Sequence, residues 1–299
     1  MSNKDGGSDV ARFYDSNAAE YHRMYQRENL TSLEYYPANY FRLQILVRRL
    51  AELGAKRVYE VGVGEGTPLV TMAKLGMGVA GCDISEAMVA AARQNFQAAG
   101  LSQDLIQWGD VEDATTIAGQ LADGKFDAVV AAGVLPHVRN DRLMIETAKM
   151  CLKPGGVALI EFRNKLFSLF TFNRLTKEFI LDDLLRDVPS SVKSAVEAEL
   201  DRRCAVDKPA IRTARPGQEL GYDEILAKFH NPFELQDTFR SHGFRDVQVH
   251  WYHYHPAPPM MEAAIGSDLR RAAMRLEHEG SWRGMFLCSA GVIEARLPG

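Results

Sequence analysis

From about residue 57 to residue 162, short apolar runs alternate with stretches whose apolar positions recur every three or four residues. This pattern predicts βα units on a parallel sheet. The expected strands are 57–61, 79–82, 105–108, 126–131 and 157–162. Thr67 and Pro68 open a helix after the first strand, because a proline at the first helical position gives up only an amide that has no internal partner there. Ser85 caps the next helix, whose Met88, Ala92, Phe96 and Ala99 share one face before Gly100 ends it. Further on, Asn231-Pro232-Phe233-Glu234 reads as a cap, a first-turn proline and a capping-box glutamate, and Gly243 closes that helix. Two more strands follow, 247–254 and 285–295, so seven are expected. Residues 164–230 interrupt the alternation with amphipathic stretches such as Val192, Val196 and Leu200 at four-residue spacing. A stretch of about 67 residues is too long for a plain connection, and it reads as an insertion over the sheet, a helical lid.

Composition narrows the picture. The 299 residues are 46% hydrophobic and 25% charged, which suits one large core and excludes disorder and fibrous repeats. A net charge of -4, from 35 basic and 39 acidic side chains without a run of like charges, gives no footprint for nucleic acid. No signal-peptide-like segment stands among the first residues, and no membrane span is expected, so the expected location is cytoplasmic. Cys82, Cys151, Cys204 and Cys288 are scattered, with no CxxC pair. Neither a disulfide framework nor a metal site is expected.

The first strand ends in Glu60-Val61-Gly62-Val63-Gly64-Glu65-Gly66 and runs straight into a helix. Glycines there let the backbone close on a ligand while the helix start presents free amide groups. The dinucleotide fingerprint would need a glycine where Thr67 stands; the spacing found is an acid followed by GxGxG. At this point the sequence resembles the class I S-adenosylmethionine-dependent methyltransferases. Four further motifs match in order: Asp83 in Gly81-Cys82-Asp83-Ile84-Ser85, Asp110 in Trp108-Gly109-Asp110-Val111, Phe126-Asp127-Ala128-Val129-Val130, and Leu152-Lys153-Pro154-Gly155-Gly156.

The resemblance implies an α/β, Rossmann-like fold: a seven-stranded, mostly parallel sheet flanked by helices, with a helical insertion after strand five. It also implies S-adenosyl-L-methionine as cofactor. The expected layout is an N-terminal helical segment covering the cofactor (1–56), the cofactor-binding core (57–163), the insertion (164–230) and the rest of the core (231–299). Asp83 is implied to hold the ribose hydroxyls, and a carboxylate does offer two acceptors to a vicinal diol. Asp110 is implied at the adenine and Glu60 near the amino end of the methionine moiety, with Gly62, Gly64, Ile84, Val111 and Gly133 completing the cofactor set. Each acid has a plainer alternative: Asp83 a helix cap, Asp110 a loop acid or cap, Glu60 a buried partner for a basic residue. Phe13-Tyr14-Asp15 through Tyr21-His22 resembles the aromatic segment that many of these enzymes fold over the cofactor. It adds Tyr14 and Tyr21, which would otherwise be core residues of an amphipathic helix.

Methyl transfer from a sulfonium asks the protein mainly to align the acceptor and exclude water, with a base where the acceptor is a hydroxyl. His137, just past the fourth strand at the ligand edge of such a sheet, is the candidate base, with a packing role as the alternative. Arg163, Asn164 and His253 are the candidate substrate residues. His253 and His255 share a strand face, but no carboxylate accompanies them for a metal. The segment Lys165-Leu166-Phe167-Ser168-Leu169-Phe170 could touch a hydrophobic acceptor, pack onto the sheet or form a homodimer interface. The residues around Trp282 resemble the tail of saccharide-associated methyltransferases. The expected activity is therefore methylation of a hydroxyl or amine on a small molecule, a saccharide being preferred to an aromatic or quinone acceptor. The rivals are an aminopropyl transferase, which would need an acidic cluster not found here, and a non-catalytic cofactor-binding module.

Overall fold

The computed structural model describes residues 9–15, 36–203, 213, 220–221, 224–278 and 280–299. Helix α1 (Ala38–Glu52) precedes β1 (Arg57–Val61), α2 (Thr67–Lys74), β2 (Gly78–Asp83), α3 (Glu86–Ala98), β3 (Ile106–Trp108), β4 (Phe126–Ala131), α4 (Asp141–Cys151) and β5 (Leu152–Arg163). After the insertion come α5 (Pro232–Ser241), β6 (Arg245–Tyr254), α6 (Ser267–Leu276) and β7 (Cys288–Arg296). A further helix within the insertion spans Ser190–Arg203. The seven strands form one sheet in the order β3-β2-β1-β4-β5-β7-β6. All pairs from β3 to β5 are parallel, and β7 runs antiparallel to both β5 and β6.

Strand alternation sends neighbouring residues to opposite faces, so both faces need a helical cover. Val58, Val130, Leu159 and Val292 meet Leu46 and Leu50 of α1, Leu69 of α2 and Phe96 of α3. Tyr59, Val129, Ile160 and Ile293 meet Met144 and Ile145 of α4 and Phe239 of α5. The strand order reverses between β1 and β4, which opens a crevice at the carboxyl ends of those strands.

Four local expectations are revised. Gln103–Leu105 is a single turn capped by Ser102, so β3 starts at Ile106. Gly284–Leu287 is helical and β7 starts at Cys288. Asn231 caps α5 by accepting from Phe233 N at 3.0 Å, but the Glu234 carboxylate turns outward to Arg186 at 3.0 Å instead of closing a capping box. The Ser190–Arg203 helix forms, yet Val192 is exposed and neither Val196 nor Leu200 is fully buried. Of the cysteines, Cys82, Cys151 and Cys288 are buried free thiols; Cys204 lies outside the described residues. Among the described residues, no helix is long and apolar enough to cross a membrane.

Candidate functional site

The crevice is a cavity of about 490 Å³, walled by the β1–α2 turn, the ends of β2, β4 and β5, and the start of α1, with Val10 and Tyr14 of the helical segment 9–15 reaching into it. Gly62, Gly64, Glu60, Asp83, Ile84, Asp110, Val111, Gly133, His137, Arg163 and His253 all line it. Tyr21 lies outside the described residues. Asn164 does not line the cavity, contrary to expectation. Its side chain is fully buried, with Nδ2 donating to the carbonyls of Met285 (2.7 Å) and Cys288 (2.9 Å) and Oδ1 accepting from Leu166 N. It pins the start of the insertion to the sheet edge, with both of its N–H groups spent on backbone carbonyls.

One half of the cavity is built by the β1–α2 turn. Gly62 has φ +68°, and a Cβ there would sit 2.2 Å from Val134 Cγ2; Gly64 has φ +54° with nothing within 4 Å of an added Cβ. The first glycine is demanded by packing and the second by its left-handed backbone. Gly64 N donates to Asp83 Oδ2 and Ser85 N to Asp83 Oδ1, both at 2.9 Å, which aligns the carboxylate while each oxygen keeps a lone pair. Ser85 Oγ caps α3 by accepting from Met88 N at 3.0 Å. The capping alternative for Asp83 is therefore taken up by its neighbour. Burial raises the Asp83 pKa to about 6. Asp110 accepts from Glu112 N at 2.8 Å, and burial also raises its pKa. The Glu112 carboxylate in turn accepts from Arg139 N and Asn140 N, tying this loop to the one that carries His137.

A second group comes from three distant elements and was not anticipated from the sequence. Arg42 of α1 donates to Glu161 Oε2 of β5 at 2.6 Å, and the Tyr252 hydroxyl of β6 donates to Glu161 Oε1 at 2.6 Å; all three line the cavity. A glutamate inside the apolar run Val157-Ala158-Leu159-Ile160-Glu161-Phe162 was the one available signal, since a buried charge needs a partner. Beside them Glu60 is 1% exposed, its Oε2 has no hydrogen-bond partner, and burial holds its pKa well above the ordinary value, with Arg42 opposing.

His137 sits on a turn after β4, 7% exposed. Its Nδ1 lies 2.6 Å from the Leu226 carbonyl and its Nε2 3.1 Å from the Tyr14 hydroxyl. A carbonyl only accepts, so Nδ1 carries the proton and Nε2 is left to accept from Tyr14. Burial lowers the His137 pKa to about 4, opposed by the Leu226 hydrogen bond. Arg163 is close enough for its charge to act in the same direction. His253 stacks on Tyr36 with ring centres 4.8 Å apart and planes at 7°, and burial lowers its pKa to about 3. His253 and His255 do come together, ring centres 4.7 Å apart. Among the described residues no cluster of His, Cys, Asp and Glu could hold a metal ion. His250 faces away and binds Glu294 at 2.9 Å. Leu166 and Phe167 at the start of the insertion are buried, Phe167 against His255, while Phe172 is exposed.

The cavity fits the cofactor that the motifs imply. Asp83 offers paired acceptors beside a glycine turn, and at the other end Arg42 and the unpartnered Glu60 Oε2 match an amino-acid tail carrying both charges. Residues 59–160 match the family described as Methyltransferase domain. The ubiquinone biosynthesis O-methyltransferase of Aromatoleum aromaticum is 31% identical over 186 residues, 62% of this chain and 73% of the relative. The protein of the same description from Pseudomonas aeruginosa is 31% identical over 189 residues, 62% and 75% of the two chains. The fold is shared with magnesium protoporphyrin IX methyltransferase from Synechocystis PCC 6803 with bound SAH, at a TM-score of 0.53 and 16% identity over 97% of this chain and 99% of that one. None of these likenesses supports the saccharide acceptor drawn from the residues around Trp282.

Proposed function

This chain belongs to the class I S-adenosylmethionine-dependent methyltransferases, and from that premise we propose that it methylates a hydroxyl on a small, planar aromatic acceptor, with His137 taking the proton. When bound, the cofactor supplies an electrophilic methyl group on sulfur. Asp83 and Asp110 hold its nucleoside, with Gly62, Gly64, Ile84, Val111 and Gly133 shaping the wall. Glu60 and Arg42 hold the amino-acid end.

The observation that carries the reading is His137, locked between the Leu226 carbonyl and Tyr14 with its pKa lowered to about 4. Such an imidazole carries no proton on Nε2 at neutral pH and accepts there from Tyr14, so the acceptor's proton goes to the Tyr14 oxygen as the Tyr14 proton passes to Nε2. The imidazole is a weak base. An aliphatic amine has a pKa of about 10, as a lysine does, so it would arrive protonated and keep its proton against this group. A hydroxyl behaves differently. Its proton becomes strongly acidic only as the oxygen gains a methyl group, and a weak base then suffices. Arg163, lining the cavity near His137, favours departure of that proton through its positive charge. The printed name of the relatives, ubiquinone biosynthesis O-methyltransferase, suits an aromatic acceptor. The names of the O-methyltransferase relatives agree with oxygen as the target.

A panel of catechols, phenols, amines and sugars with isotopically labelled methyl donor tests this. Turnover confined to aromatic hydroxyls is expected; preferred turnover of an amine or sugar overturns the reading, and cofactor binding with no turnover on any acceptor would point to a binding module.

A further inference from the structure

We propose that Asp141 and Lys228 form a latch that positions His137, acting through the strap of residues 224–230 rather than by touching a reactant. The inference rests on the reading of His137 as the base.

The strap is irregular chain, and it supplies the carbonyl that decides the tautomer of His137. Leu226 O accepts a hydrogen bond from Nδ1–H at 2.6 Å. Without it the ring could rotate or carry its proton on Nε2, and the atom facing Tyr14 would no longer be an acceptor. Two residues on, Lys228 N donates to the Pro136 carbonyl at 2.8 Å, beside His137 in the chain. The Lys228 ammonium then pairs with Asp141 Oδ1, while Asp141 Oδ2 lies 3.3 Å from Nε2 of the buried His230. His230 is fixed to the sheet by N–H donation to Arg163 O at 2.7 Å and by accepting from Lys165 N at 2.9 Å. Asp141 itself stands in the first turn of α4 just after Asn140, whose N–H is held by Glu112. On the far side of Leu226, Ile225 packs on Val10 and Phe13, in a small cluster separate from the two main cores. The carbonyl thus hangs between a thin apolar contact and the latch. Placement of a general base to within a fraction of an ångström governs its rate contribution.

Lys228 also faces His137 electrostatically, as do Arg163 and Glu161, with Tyr14 on its other nitrogen. A shifted titration alone would therefore not separate position from charge. The decisive measurement is the imidazole tautomer, read by 15N chemical shifts of His137 in the full chain without ligand. We expect the Nδ1–H form in the native protein and a mixture of both tautomers in Asp141→Asn and Lys228→Met, with Lys228→Arg restoring the native form. Turnover should fall about tenfold in the first two variants while KM for the methyl donor stays within twofold. Native tautomer populations in both Asp141→Asn and Lys228→Met overturn the latch. Lys228→Met leaves α4 untouched, so the test survives if Asp141→Asn fails to fold. Unchanged turnover in His137→Gln would overturn the base reading by itself, and the tautomer measurement would still decide the latch.

Discussion

The Tyr14 hydroxyl stands 3.1 Å from Nε2 of His137, across 123 residues of chain. The helical segment 9–15 is thereby joined to the turn after β4, and the two residues make one polar pair in the lining of the cavity. His137→Gln should lower kcat by about 10²-fold or more, as expected for loss of a positioned base, with cofactor affinity within twofold by calorimetry. Tyr14→Phe should lower kcat severalfold. The double variant should be hardly worse than His137→Gln alone, because the tyrosine acts through the imidazole; additive losses would separate the two residues.

Cofactor binding should depend on pH through Asp83. Its carboxyl titrates near 6, above the usual value, because it is buried. The ionised form is the one that accepts from two hydroxyls, so affinity should be full above pH 7 and fall by up to tenfold per unit below about 6. Asp83→Asn should weaken binding and remove that dependence. The effect on stability has the opposite sign. A raised folded-state pKa means that the unligated protein loses stability as pH climbs from about 4 through 6, by an amount of order 3 kcal/mol. Thermal melts of the unligated protein between pH 4.5 and 7.5, native against Asp83→Asn, check the sign.

With cofactor saturating, the acidic limb of kcat belongs to His137. Burial places it near pH 4, so kcat should be flat from about pH 5.5 upward, whereas kcat/KM for the methyl donor should bend near 6 with Asp83. An acidic limb of kcat near 6.5 would mean an ordinary, exposed histidine at this position.

The Arg42–Glu161 pair, with side chains 11% and 10% exposed, should be costly to break from one side. Arg42→Met leaves a buried carboxylate with Tyr252 as its remaining partner in this group and should destabilise the fold by about 3 kcal/mol. Replacing both partners, as Arg42→Met with Glu161→Gln, should recover part of the loss. Denaturant unfolding checks the stability. Methyl-donor affinity should stay low in both variants if Arg42 holds the amino-acid end.

Gly62→Ala should be nearly as damaging without touching any charge. Its Cβ would lie 2.2 Å from Val134 Cγ2, on a backbone at φ +68°. Overpacking together with left-handed strain predicts a loss of about 3 kcal/mol, seen as a lower melting temperature. Gly64→Ala meets no protein atom but keeps the left-handed strain at φ +54°, so it should cost about 1 kcal/mol of stability and also lower cofactor affinity.

Much of the fold was legible along the chain because its determinants are local. Apolar periods of two and of three to four separate strands from helices, and Ser85, Pro68 and Gly243 mark helix ends through their own backbone and side-chain chemistry. The glycine turn, with Asp83 and Asp110 at the next two strand ends, was legible for the same reason: each motif is a few consecutive residues. What only tertiary structure decided are relationships between elements far apart in sequence. Asn164 is polar and stands at the ligand edge, yet its amide is consumed by the Met285 and Cys288 carbonyls. Arg42, Glu161 and Tyr252 read singly as surface or core residues until the sheet order brings α1, β5 and β6 together. The state of His137 depends on a carbonyl 89 residues away. A period or a spacing records which face a residue takes, but hydrogen bonds and burial, which set protonation and reactivity, belong to neighbours that only the folded chain supplies.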